Sequence, residues 1–380
     1  MSKRQNWTII VLFLLMIFVP TLITLFKTDI EFSEKENRVL AQMPELNPED
    51  IFSGEFSKDY ETYLSDQFFA RNQWIGLKTA VERGIGKQES NDIYFAGDDY
   101  LIEKHSGVFT NAQAQQNISY LAAFLEEQSS LLGTEHVKAL IAPNAVEVLK
   151  EKLPPFAEST QEDAYLDQLA EALPEGTFVD VREVLARHKE EEIYYRTDHH
   201  WKTLGARYAY ETWTGQCGLT VLPAEAYEIE TLTTDFFGTV EAKVNCTVKA
   251  DSIEAWMPLE PVPYELTYNH KKEEKKDSLY DYNYLEGRDK YGVFFGSNQP
   301  LIEAQTEAGT ERRLLVIKDS YANCFVPFAL QDFDEVDMVD LRYFNESLKE
   351  FMSNGNYTDV LVLYNVSGFA EDTSVVRLGL

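Results

Sequence analysis

Residues 311 to 380 alternate short apolar runs with helical stretches, and this alternation restricts the fold more than any other feature of the chain. Arg313 to Ile317 reads as a strand, Tyr321 to Leu330 as a helix and Glu335 to Leu341 as a strand. Asn345 to Met352 then reads as a helix and Asp359 to Tyr364 as a strand. Strands joined by helices of this length imply a parallel sheet with right-handed crossovers. Leu314-Leu315-Val316-Ile317 is apolar on both faces, as an interior strand of such a sheet must be. Residues 91 to 215 alternate in the same way. Ile93 to Ile102 reads as strands about a Gly97-Asp98-Asp99 turn, Ala112 to Leu132 as a helix, and Val137 to Ala142 as a buried strand ending at Pro143-Asn144. Phe178 to Val181 is a further short strand. The expected fold is α/β, a parallel sheet flanked by helices, and 380 residues can bury a core large enough for it.

The remaining stretches differ. Residues 1 to 27 carry Lys3 and Arg4 ahead of an apolar run from Ile9 to Phe26, about long enough to span a bilayer once Trp7 and Thr8 are included. Basic residues before the run and Asp29, Glu31 and Glu34 after it predict a cytoplasmic N-terminus and an extracellular body, a single-pass protein of the cell membrane. A cleaved signal peptide is the rival reading, but the run is long for one and no small-x-small site follows Phe26. Residues 28 to 90 form a helical lead-in, with Phe56, Tyr60, Tyr63, Leu64, Phe68 and Trp74 at near-helical spacing between Ser53 and Lys78. Residues 91 to 380 would be the main domain. Within it, about 220 to 310 reads as a β-rich insertion, with runs at Thr239 to Lys249 and Tyr291 to Phe295, and a charged loop at 270 to 276. A net charge of −30 argues against nucleic acid as a partner. Cys217, Cys246 and Cys324 are too few and too scattered for a disulfide framework or a zinc module, and whether Cys217 and Cys246 pair is left open.

Chemistry concentrates at Tyr194-Tyr195-Arg196-Thr197-Asp198-His199-His200-Trp201. In an extended segment Asp198 and His200 would share a face, with His199 turned away. Thr203 would cap the helix running from Leu204 to Trp213. A carboxylate beside an imidazole fixes its tautomer and steadies the imidazolium, which is the base-orienting half of a hydrolytic triad. The nucleophile candidate is Ser320, in Lys318-Asp319-Ser320 at the carboxyl end of an interior strand, where α/β sheets bind ligands. There it would also lie among free backbone N–H groups suited to an oxyanion. The bland reading makes Asp319 or Ser320 a helix cap. Trp201 reads as a wall of the pocket or core, and Cys324, one turn beyond Ser320, as an alternative nucleophile.

The Thr197-Asp198-His199-His200-Trp201 run resembles the motif of the DHHW family of bacterial exported proteins, which in turn resemble the SGNH-like alginate O-acetylation proteins. The likeness extends in order through Glu36-Asn37-Arg38 with Leu40 and Pro44, Asp66-Gln67-Phe68 with Arg71, Pro143-Asn144, and Lys318-Asp319-Ser320. It implies an SGNH-hydrolase-like sheet and a triad in the order Asp198, His200, Ser320, reversed from ordinary SGNH hydrolases. Two positions depart from the pattern: Lys318 stands where glycine is usual before Asp-Ser, and Ala145 stands where lysine often follows Pro-Asn. Asn298, in Gly296-Ser297-Asn298, and Asn323 are both candidates for the family's asparagine block. Arg342 matches an arginine of the related acetylation proteins, while Tyr321 and Trp201 complete the residues expected around substrate or oxyanion.

The activity implied is serine-dependent O-acetyl transfer to a cell-surface or secreted polysaccharide through an acyl-serine, with a polytopic membrane acyltransferase as acetyl donor. An acetylesterase of the same mechanism and a non-catalytic glycan-binding scaffold are the alternatives. No cofactor is expected. A metal site at Asp198, His199 and His200 is disfavoured, because adjacent histidines rarely converge on one ion without further ligands.

Overall fold

The computed structural model describes residues 2–271 and 275–379. A sheet of six strands organises it. In chain order these are β1 (Val137–Ala142), β2 (Tyr264–Tyr268), β3 (Leu301–Thr306), β4 (Arg313–Lys318), β5 (Glu335–Val339) and β6 (Asp359–Asn365). Their spatial order is β1-β6-β4-β5-β3-β2. β1, β6, β4 and β5 pair in parallel, whereas β3 and β2 are antiparallel additions. The sheet is therefore mostly parallel rather than wholly so, because two strands from the 220–310 region extend its edge.

Burial explains the apolar runs. Leu314, Leu315, Val316 and Ile317 of β4 are all inaccessible, and alternate residues enter different cores on the two faces. One core contains Leu314 and Val316 with the aromatic residues Trp201, Tyr210, Trp213, Phe325 and Phe328. The other sets Leu315 and Ile317 against Leu121, Phe124 and Leu125 of the long helix Ala112–Leu132. Parallel strands buried on both faces need this continuous hydrophobicity.

The chain divides into two compact units, one comprising 1–91 with 241–247, the other 92–240 with 248–380. In the first unit, α1 (Lys3–Phe26) is 24 residues long and apolar enough to cross a membrane, and its side chains are exposed except for a few, chiefly Pro20. The lead-in expected to be mainly helical holds three helices, Pro48–Ser53, Glu55–Asp66 and Arg71–Gly84, the last two spanning the stretch with helical spacing. The breaks fall where Gly54 and Ala70 turn left-handed, at φ of 86° and 57°. Arg38 forks onto Asp66 at 2.8 and 2.6 Å and reaches Glu36 through Nε at 2.8 Å, while Arg71 bonds the other Glu36 oxygen. Gln67 clamps Ile30 through both its N–H and its carbonyl. The Glu-Asn-Arg and Asp-Gln-Phe motifs thus tie this unit together.

Several elements after residue 91 differ from the expected ones. Thr239 opens a helix, Thr239–Val244, where Val-Glu-Ala-Lys-Val mimicked a strand by alternating with period two. Tyr291 lies in a single turn, Lys290–Val293. Phe178 to Val181 makes only one bridge, Ala139 to Phe178. The helix expected from Tyr321 to Leu330 is a 3-10 turn, Ser320–Cys324, then one α turn, Val326–Ala329. Pro327 in that turn has no N–H to continue the ladder. The helix after the histidines, Thr203–Gln216, is entered from Lys202, and the Thr203 hydroxyl bonds the Glu254 carbonyl instead of capping it. All three cysteines are free thiols.

Candidate active site

The Asp-His-His segment is a tight return, not an extended strand end. Residues 196–200 bend continuously, and the return is closed by a bridge between Tyr194 and Trp201. The buried Asp251 pins it, accepting the Arg196 N–H at 2.9 Å and both the N–H and the hydroxyl of Thr197 at 2.8 and 2.6 Å. Because the chain turns here, His199 does not point away from His200: the two rings lie 3.9 Å apart. Trp201 enters the core with no exposed surface and donates its indole N–H to the Tyr321 carbonyl at 2.9 Å.

The two distant motifs meet. His200 Nδ1 lies 2.5 Å from Asp198 Oδ2, and His200 Nε2 lies 2.7 Å from Ser320 Oγ, across 120 residues of sequence. The second Asp198 oxygen accepts the Thr239 N–H at 2.8 Å and the Thr239 hydroxyl at 3.0 Å. A side chain at Gly238 could not be accommodated, since its Cβ would stand 2.2 Å from the Asp198 Cβ. Tyr291 stacks on His200 at 3.9 Å and 15°, opposite His199, and donates its hydroxyl to the Ser320 carbonyl at 3.0 Å. The imidazole is held edge and face.

Its electrostatics suit a base. Burial, reinforced by the His199 charge, brings His200 down to about 4 despite the opposing pull of Asp198. His200 is thus neutral and able to accept a proton at neutral pH. Burial also opposes the Asp198 charge, but the two histidines and the Thr239 N–H outweigh it, holding Asp198 well below the carboxylate range. This difference keeps the proton on Nδ1 and leaves Nε2 free to face the hydroxyl.

Ser320 is placed by β4. The strand ends at Lys318, and Asp319 caps the following turn through the Tyr321 N–H at 2.8 Å. Asp319 also accepts the Asn365 N–H at 2.8 Å and its side-chain amide at 2.5 Å, locking the ends of β4 and β6 together. Asn144, of the Pro143-Asn144 motif, joins this network through Asn365 and Tyr321 at 3.3 and 3.4 Å. Burial raises Asp319 to about 6. At the first position of its turn Ser320 has an N–H for which the helix supplies no acceptor.

The other expected residues take different places around the site. Asn298 and Asn323 lie beside this edge and converge on the buried Lys318 ammonium, at 3.4 and 2.6 Å. Arg342 is exposed and held by Asp340 through two bonds, 2.9 and 2.6 Å, and its charge acts on His200, Lys318 and Asp319. Tyr321 and Trp201 are fully buried; the Tyr321 hydroxyl donates to the His199 carbonyl at 2.6 Å, so both stiffen the wall. Cys324 is buried, accepts from Tyr291, and its thiol is pushed up to about 12 by burial, the opposite of an activated nucleophile.

Asp198, His199 and His200 each offer a ligand atom within 4.8 Å of the others. Both His200 nitrogens already face protein partners, however, and His199 Nδ1 lies 2.9 Å from the Thr239 hydroxyl. A metal ion there would have to displace the serine or the aspartate. Thr239, Gly238 and Tyr291 are the site residues that sequence reasoning missed. Gly238 beside Thr239 carried a signal, a glycine next to a hydroxyl, but Thr239 reads as the start of a β run from Thr239 to Lys249; Tyr291 carried none.

Fold and site together define an α/β protein with an Asp–His–Ser constellation at the carboxyl edge of a mostly parallel sheet. The sequence model of the DHHW protein matches residues 88–339, and the chain belongs to that family. A DHHW family protein from Eubacterium siraeum is similar at 25% identity and a TM-score of 0.63, over 77% of this chain and 96% of that one. Bacillus cereus PatB1, solved with a sulfonyl adduct, is similar at 20% identity and a TM-score of 0.62, over 76% and 99%. The O-acetyltransferase domain of Pseudomonas putida AlgJ is similar at 13% identity and a TM-score of 0.44, over 76% and 98%. No curated protein matches the chain.

Proposed function

We propose that this chain is a membrane-anchored, extracellular, serine-dependent O-acetyltransferase acting on a cell-surface or secreted polysaccharide. The observation that carries the reading is the 2.7 Å approach of Ser320 Oγ to a neutral His200 whose other nitrogen faces Asp198. In the first half-reaction Ser320 Oγ attacks the acyl carbonyl while His200 Nε2 takes its proton. The tetrahedral intermediate collapses, the leaving oxygen departs with that proton, and an acetyl ester remains on Ser320. In the second half-reaction His200 takes the proton of a sugar hydroxyl, which attacks the ester; the acetyl group passes to the glycan and the proton returns to Ser320. Asp198 stays ionised throughout and steadies the imidazolium formed in each half.

Transfer is preferred to hydrolysis on the resemblance to the alginate O-acetylation proteins, which also suggests a polytopic membrane acyltransferase as donor. On this reading residues 91–380 form an SGNH-like catalytic domain, 28–90 a helical lead-in, and α1 the anchor, with its N-terminus cytoplasmic. The test incubates the chain with 4-nitrophenyl acetate, with and without an oligosaccharide acceptor. Acetylated acceptor supports the transferase; free acetate alone makes the chain an esterase. Turnover in Ser320→Ala equal to the parent's would favour the non-catalytic scaffold.

A further inference from the structure

Lys318 is the last residue of β4 and has no exposed surface, yet it carries an ammonium group two positions from the serine, where glycine was expected. A buried charge persists only with partners. Its partners are the carboxamide oxygens of Asn323 at 2.6 Å and Asn298 at 3.4 Å. An ammonium only donates, so both carboxamides must turn their oxygens toward Lys318 and their NH2 groups away. Asn323 is three residues beyond Ser320 in a 3-10 turn, where such residues eclipse one another, so it stands on the side of the serine. Its amide reaches Asn298 Oδ1 at 3.4 Å, linking the two.

Asn298 is delivered by unusual backbone. Phe295, Gly296 and Ser297 are successively left-handed, at φ of 59°, 69° and 68°, and two of the three bear side chains. Such strain persists where the surroundings over-determine it, and it gathers at functional sites. Here the Phe295 N–H bonds the Leu279 carbonyl at 2.7 Å and the Ser297 N–H bonds the Gly292 carbonyl at 3.0 Å. The triad mechanism uses none of this.

We propose that Lys318 is a positioning residue that fixes the Asn298 and Asn323 carboxamides with their N–H groups toward the acyl oxygen, so that both amides stabilise the oxyanion formed at Ser320. The inference rests on the acyl-serine reading. It turns the departure from glycine into part of the site: the cation replaces conformational freedom with a defined donor orientation and places a positive charge behind it. The charged groups facing Lys318 are Asp319, Asp340 and Arg342. Burial brings Lys318 down to about 8, with Arg342 adding to the effect and the two carboxylates opposing it. The ammonium is charged below that pH and lost above it.

The experiment measures 4-nitrophenyl acetate turnover by the full chain in detergent, from pH 5 to 10, for the parent, Lys318→Met, Lys318→Arg, Asn323→Asp and Ser320→Ala. Lys318→Met should lower kcat about 100-fold with KM little changed, the range for losing oxyanion donors. Asn323→Asp keeps an oxygen for Lys318 but removes the amide donor, and should lose a similar factor. The parent should lose activity as pH rises through about 8, and Lys318→Arg, which stays charged, should keep activity there. Parent-like kcat in Lys318→Met, or in Asn323→Asp, overturns the inference. So does a parent profile that stays flat to pH 10, a result that stands even if Lys318→Met fails to fold. Parent-level turnover in Ser320→Ala instead defeats the acyl-serine reading itself.

Discussion

The charged motifs of the first unit and those of the second are equally conspicuous in sequence but behave differently in three dimensions. In the first unit, Glu36, Arg38, Asp66 and Arg71 form a closed set in which carboxylate and guanidinium satisfy each other. Asp66 also accepts the Ala41 N–H at 2.9 Å, so the circuit closes on the backbone. In the second unit, Asp198 and His200 form an open series that ends on a hydroxyl. A closed circuit of charges fixes a fold; on the proposed reading, the directed series moves a proton. The difference lies in the terminal group, the Ser320 Oγ that lies 2.7 Å from His200 Nε2 and that on the proposed reading is the attacking hydroxyl.

Breaking the open end should have the largest effect. Ser320→Ala should reduce ester turnover by about 10³-fold or more while leaving thermal unfolding near parental. Asp198→Asn should cost nearly as much, about 10³- to 10⁴-fold, because the imidazole would lose its orienting charge and adopt the wrong tautomer. The pH profile sharpens the point. His200 must be neutral to act, so activity should rise as pH increases through about 4 and be fully developed at neutrality. An acid limb centred near 7 would show that burial does not hold the imidazole down.

Breaking the closed circuit should reverse the pattern. Asp66→Ala leaves the Arg38 fork and the Ala41 N–H without their acceptor, and should cost about 1–3 kcal/mol of stability in chemical denaturation. Turnover per folded molecule should remain parental. The sign of its pH dependence follows from Arg38, whose hydrogen bonds hold the Asp66 carboxyl below its usual value against the cost of burial. The stabilisation is present above the unfolded-state value and is lost as pH falls through the lower folded one. Thr239→Ala should have the smallest effect, about tenfold in kcat, because it removes one of two bonds to Asp198 and leaves the backbone N–H in place.

The same contrast explains what the sequence could reveal. Ser320 and the Asp198–His200 pair were legible because each sits in a run of unusual local composition, and the strand preceding Ser320 was apolar on both faces. Their meeting was not legible from spacing: it depends on a turn at 196–200 that period-two reasoning took as extended, which also misdirected His199. Thr239 was hidden because Val-Glu-Ala-Lys-Val alternates like a strand yet folds as a helix. Tyr291 and Lys318 were hidden for another reason. Their roles come from packing partners, a ring beneath His200 and two distant carboxamides, which leave no periodic trace in the chain. The two antiparallel strands at the sheet edge belong with these, since nothing local distinguishes a strand that joins the main sheet from one in a separate hairpin.

The most direct test of the central claim is peptide mapping after exposure to a sulfonyl fluoride, performed on the parent and on His200→Ala. An activated hydroxyl should be modified rapidly on the peptide bearing Ser320 in the parent, and at least about 100-fold more slowly once the base is gone. Equal rates in the two proteins, or label on any other residue, would mean that the imidazole does not activate the serine, and the acyl-enzyme account would be wrong.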